Sequence, residues 1–176
     1  YKSYYCKPMV KAGAEYVLNF VNEEKIKARI RDVIETESPI ESSILLDKLL
    51  VVFNVPKTAK RAVAALSGYI EEFASFRQEF DGKVFYVDKP VETFRPSDVK
   101  VTRDLTKVHP GEIIAAAKCA AETRLNLLRS ELPREIIALF GTGKKTKPVT
   151  EWIDKCIEMA IAENQLLITV DDIVAT

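Results

Sequence analysis

The sequence predicts a mainly α fold with small β-hairpins (α+β), built as two tandem modules, and three observations predict it. The chain repeats itself at an offset of 87 residues. Within each copy, apolar residues recur at helical spacing in three successive segments. After each third segment the pattern turns toward strands. Residues 24–74 align on 111–161 without a gap, with 11 identities in 51 positions, among them Glu35-Thr36 on Glu122-Thr123 and Phe53 on Phe140. Eleven identities are thin evidence alone, so the element-by-element agreement of the apolar pattern carries the repeat.

Residues 1–22 form a leader holding four of the six tyrosines, in which Tyr16, Val17 and Phe20 suggest part of a helix packed on the first module. Module one spans 23–90. Its first helix carries Ile26, Ile30, Val33 and Ile34 on one face, matched in the second copy by Ile113, Ala117, Ala120 and Ala121. Ser38-Pro39 closes that helix, because the residue before proline is biased out of the α region. The second helix carries Leu45, Leu49, Val52 and Phe53, matched by Leu132, Ile136, Leu139 and Phe140. Val55-Pro56 makes the next turn, and Gly141-Thr142-Gly143 takes its place in the second copy. The third helix carries Ala62, Leu66, Tyr69, Ile70 and Phe73, matched by Val149, Ile153, Cys156, Ile157 and Ala160.

The Asp81-Gly82 pair, between Arg77–Phe80 and Lys83–Val87, is a strong hairpin signal. The second copy offers Leu166–Val170, Asp171-Asp172 and Ile173-Val174, a weaker version without glycine. Residues 91–108, with Pro96, read as an extended linker, and module two spans 109–176, its first helix opened by Pro110. Three helices and a hairpin, with a compact turn after the second helix, is the winged-helix arrangement, a relative of the helix-turn-helix.

Apolar residues at 47% supply a real core, and no apolar run approaches the roughly 18 residues of a membrane span. Without a signal-like leader, and with three widely spaced cysteines (Cys6, Cys119, Cys156), the expected setting is reducing and cytoplasmic. The missing initiator Met reads as an excerpt of a longer chain. One histidine and no CxxC pair argue against a zinc site, and no cofactor motif is present. The Gly141–Thr146 stretch lacks phosphate-loop spacing and follows a helix rather than a strand. His109, beside Pro110 at a helix start, reads as a cap or loop residue rather than a catalytic base. Enzymatic activity is not expected.

Binding chemistry is suggested by where the cations fall. Lys57, Lys60 and Arg61 stand at the start of the first copy's third helix, and Lys144, Lys145 and Lys147 at the start of the second's. Lys83, beside the hairpin turn, adds a wing position. In helix-turn-helix proteins the recognition helix enters the major groove N-terminal residues foremost, and its free amides favour an anion. Against this, Glu71, Glu72, Glu151 and Glu158 lie further along the same helices, and neither offers the Arg and Asn/Gln set that reads base edges. A net charge of zero argues against coating nucleic acid indiscriminately. The alternative is a protein-docking module, with Trp152 and the leader tyrosines as anchors. A stand-alone regulator would need a dimerisation helix, and none is evident.

Two stretches resemble a known family. Ile34-Glu35-Thr36-Glu37-Ser38-Pro39-Ile40, then an apolar helix and a basic turn, resembles a bacterial domain of unknown function near the C-terminal end of large superfamily-1 helicase-related proteins. That family has Gly where Ser38 stands. The run from Arg103 through His109-Pro110-Gly111-Glu112 also resembles the continuation in those proteins. The resemblance covers most of residues 24–176 and implies an accessory region of a nucleic-acid-dependent ATPase, without catalytic residues of its own. The expectation is therefore a DNA-binding accessory region with other domains of a helicase-like protein as partners.

Overall fold

In a computed structural model, which describes residues 9, 12–97, 102–124, 126–141 and 145–176, the apolar stripes become the buried faces of helices. The fold is mainly helical with small antiparallel sheets, as predicted. The chain divides into two units, Lys2–Pro90 and Val91–Thr176.

The first unit runs α1 (Ala14–Leu18), α2 (Glu23–Glu37), β1 (Ile40–Glu41), α3 (Ser42–Val52), α4 (Lys60–Glu71), β2 (Arg77–Phe80) and β3 (Lys83–Tyr86). Ile26 and Ile30 of α2, Leu45 and Leu49 of α3, Phe53 at the end of α3, and Leu66 of α4 are all fully buried in one core. Glu41 starts α3, its carboxylate accepting the backbone N–H groups of Ser43 and Ile44 at 3.1 and 3.3 Å. The same helix stops at Asn54, which takes a left-handed conformation (φ 52°). The Val55 N–H then reaches back to the Leu50 carbonyl and the Asn54 N–H to that of Val51, a Schellman closure. Asp81 and Gly82 both have positive φ (50° and 72°), the two-residue hairpin turn that an Asp-Gly pair favours. The short β1 pairs with β3, so the sheet order is β1-β3-β2, with Ile40 opposite Tyr86 and Gln78 opposite Phe85.

The second unit contains α5 (Pro110–Thr123), α6 (Leu132–Leu139), α7 (Lys147–Ala162), β4 (Leu167–Ile168) and β5 (Val174–Ala175). Ile113, Ala117, Leu132, Ile136, Phe140, Ile153 and Ile157 are fully buried. Gly141 closes α6 with positive φ, at the position Asn54 holds in the first unit. Leu128 bridges Ile173, and the Leu127 carbonyl accepts the Val174 N–H at 2.9 Å. Leu127-Leu128 is where the 87-residue offset carries Ile40-Glu41, so the short strand after the first helix has a counterpart in both units. The second hairpin is shorter than predicted. Only Leu167 and Ile168 pair, with Ala175 and Val174, and the connection turns through Asp172 at positive φ.

Two expectations require correction. The described residues of 91–108 are not a linker but belong to the second unit. Phe94 packs on Phe140 (ring centroids 5.4 Å apart), and Leu105 and Val108 are buried. Among the described residues there, proline and an irregular apolar spacing leave only a 3-10 turn at Leu105–Lys107 without preventing burial, which periodicity cannot detect. The described residues of the leader pack on the first unit, as expected of Tyr16 and Val17, but Phe20 departs from that expectation. Val17 is fully buried, Tyr16 stacks on Phe53 at 6.2 Å, and the Met9 N–H donates to the Val52 carbonyl. Phe20, expected to pack with them, instead lies 80% exposed in a short 3-10 turn after α1. Cys6, Tyr1, Tyr4 and Tyr5 lie outside the described residues. Among the described residues, no helix is long and apolar enough to cross a membrane.

Candidate nucleic-acid interface

The helix that begins at Lys60 has no side-chain cap, because Ala59 precedes it. The Lys60 N–H donates to the Thr58 carbonyl at 2.9 Å, and the next two amides of that turn have no side-chain cap and are left to solvent or to an anion. Lys60 and Arg61 are exposed in that first turn, and among the described residues no carboxylate lies within ion-pairing distance of either. Lys57, in the turn before α4, is 74% exposed and pairs with Asp47 of α3 at 2.6 Å. A pair exposed on both sides contributes at most about 1 kcal/mol, so it yields readily to a phosphate. Lys83 opens β3 beside the Asp81-Gly82 turn and is half-buried.

In the second unit Lys147 is the first residue of α7, with Pro148 following, and Thr146 makes no side-chain cap. Lys147 is 87% exposed and sits 3.7 Å from Glu151, one turn along the same helix. Lys145 is exposed just before the helix. Lys144 lies outside the described residues. Apart from Lys83 on the hairpin, the basic residues read from the sequence thus gather, where described, at one helix start in each unit.

Trp152, expected as a partner-facing anchor, is spent inside the second unit. It is 3% exposed, and its Nε1–H donates to the Val108 carbonyl at 3.0 Å. A tryptophan placed on an apolar helical stripe is core before it is surface.

His109 caps α5, its Nδ1 accepting the Gly111 N–H at 3.0 Å. Burial pushes its pKa down to about 4, with Glu112 opposing and Arg95 assisting the shift. The imidazole thus holds the helix start through its Nδ1 and is disfavoured as a cation.

Sequence reasoning missed a buried charged cluster in the second unit. Glu112 is fully buried and accepts from Arg95 through its backbone N–H (3.0 Å) and Nε (3.1 Å), and through Nη2. Arg103 donates to both carboxylate oxygens, at 2.7 and 2.9 Å, and lies 5.8 Å from the Phe140 ring. Burial works to raise the Glu112 pKa. The hydrogen bonds and charges of Arg103 and Arg95 outweigh it and hold the carboxyl below its ordinary value. The available signal was positional. Glu112 stands one turn before Ala116 and two before Ala120 on the buried face of α5, where a carboxylate demands a cation. Glu37, buried at the end of α2, follows the same rule and pairs with Lys48 at 2.8 Å.

Among the described residues, no group of three or more His, Cys, Asp or Glu is placed to hold a metal ion. An open depression in the first unit is lined by Lys27, Arg31, Glu72, Phe73 and Phe76, but Lys27 is already bound by Glu23 and Glu72 at 2.5 and 2.7 Å. No family model, no curated protein and no solved structure matches this chain.

Proposed function

We propose that this chain is a non-catalytic accessory region of a helicase-related protein, built as tandem winged-helix-like units, and that it binds DNA through the basic starts of its third helices. The observation that carries the reading is the matched pair of exposed, uncapped helix starts, Lys60-Arg61 on α4 and Lys145 with Lys147 on α7. The order helix, short strand, helix, helix, hairpin, with β1 paired to β3, supports the winged-helix-like reading. The helicase-related parent rests on the resemblance of Ile34–Ile40 and Arg103–Glu112 alone.

The test is fluorescence anisotropy of labelled duplex DNA titrated with the chain at about 50 and 200 mM salt. Binding driven by a handful of phosphate contacts weakens by about a hundredfold or more across that range. Affinity that ignores salt would end the phosphate reading.

A second reading, docking on another protein domain, is favoured by one feature. Leu128, Leu167 and Val170 of the second unit's sheet and turn are 39%, 54% and 105% exposed. An apolar contact of that kind responds little to salt.

A further inference from the structure

Resting on the DNA-binding reading above, we infer that the two units are not equivalent: duplex DNA is engaged chiefly through α4 and the hairpin of the first unit, and α7 of the second contributes little. The repeat register makes the comparison residue by residue. The exposed positions of α4 are Lys60, Arg61, Ala64, Gly68 and Glu71, and the offset carries them onto Lys147, Pro148, Glu151, Lys155 and Glu158 of α7. On α4 the two cations lead, nothing larger than a methyl group follows for two turns, and the one acid comes last. On α7 cations and acids alternate, and the leading Lys147 is already faced by Glu151 at 3.7 Å.

A duplex approached by the N-terminal end of a helix presents phosphates along its first two turns. On α4 those turns carry a net positive charge and no bulk. On α7 they carry Glu151, whose repulsion of a phosphate cancels much of what Lys147 gains. Gly68 adds to the contrast. A β-carbon built there meets no atom within 4 Å, so the packing of the first unit does not require glycine at that position. The hairpins differ in the same direction. Lys83 flanks the first turn, whereas the second carries a fully exposed Val170.

The surface also selects the form of nucleic acid. Single-strand binding relies on exposed aromatic rings on which bases stack. Tyr69 of α4 and Phe80 of β2 are both half-buried, the exposed positions of α4 carry no ring, and the exposed Phe20 lies outside α4 and the hairpin. Phosphate contact along a duplex groove needs none.

The experiment compares the full chain with K60E/R61E, K145E/K147E, A64E and E151A, all at exposed or surface positions, with circular dichroism confirming that each folds. Labelled 20-base-pair duplex DNA and the matching single strand are titrated at low salt. K60E/R61E loses at least roughly tenfold in duplex affinity. A64E, which copies the second unit's acid into the first, loses a few-fold, K145E/K147E stays within about twofold, and E151A, which uncovers Lys147, gains a few-fold. The wild-type chain prefers the duplex. Equal losses from the two double variants, an unchanged affinity for E151A, or preference for the single strand would overturn the asymmetry while leaving DNA binding standing. No binding by the wild-type chain would overturn both.

Discussion

Glu112 shows what a single buried carboxylate commits the chain to. With Arg95 and Arg103 both spent on it, its removal strands two guanidinium groups that are only 16% and 17% exposed. Breaking such a cluster from one side typically costs about 3–5 kcal/mol. Glu112→Ala is therefore expected to lower the urea midpoint of the second unit sharply, and an unchanged midpoint would show that the cluster is solvated. His109 adds a pH dependence. Its folded pKa of about 4 lies below the ordinary 6.5, so the unfolded chain binds the proton more readily. Stability is thus complete above pH 6.5 and falls as the pH drops toward 4, by about 3 kcal/mol in all. The Glu112 carboxyl, also held below its ordinary value, loses its contribution further into acid and with the same sign. Thermal melts from pH 7 to 4.5 are expected to decline, and His109→Asn, which keeps a capping side chain, to flatten most of that decline.

Helices, turns and caps were the most readable level. All four residues singled out on each first-unit stripe of α2 and α3 are buried, because a period near 3.6 leaves a helix one face to bury. Asp81-Gly82 was equally legible, since few residue pairs tolerate two consecutive positive φ values. The second hairpin was less so. Without glycine its turn lengthens, and the pairing retreats to two residues on each strand. At this scale α4 carries a further prediction. Gly68 is exposed inside the helix with open space around its missing side chain, so Gly68→Ala is expected to stabilise the first unit by about 0.5–1 kcal/mol. A loss of stability on thermal denaturation would mean that something approaches that face more closely than described.

Over the whole molecule, 26 cations balance 26 anions, so any affinity for a polyanion must come from local arrangement rather than overall charge. The basic helix starts are such an arrangement, and the steep salt dependence proposed above is its signature. The sequence by itself determined the repeat, the order of helices and the first hairpin, because each is written in local periodicity and turn chemistry. It also located the basic residues at the starts of the third helices. Only the tertiary structure decided that the described residues of 91–108 belong to the second unit, that Trp152 faces inward onto Val108, and that Arg95 and Arg103 converge on Glu112. Those outcomes depend on contacts between residues 8 to 46 positions apart in irregular chain. Burial there is chosen by packing against α5, α6 and α7, and it leaves no period in the sequence to read.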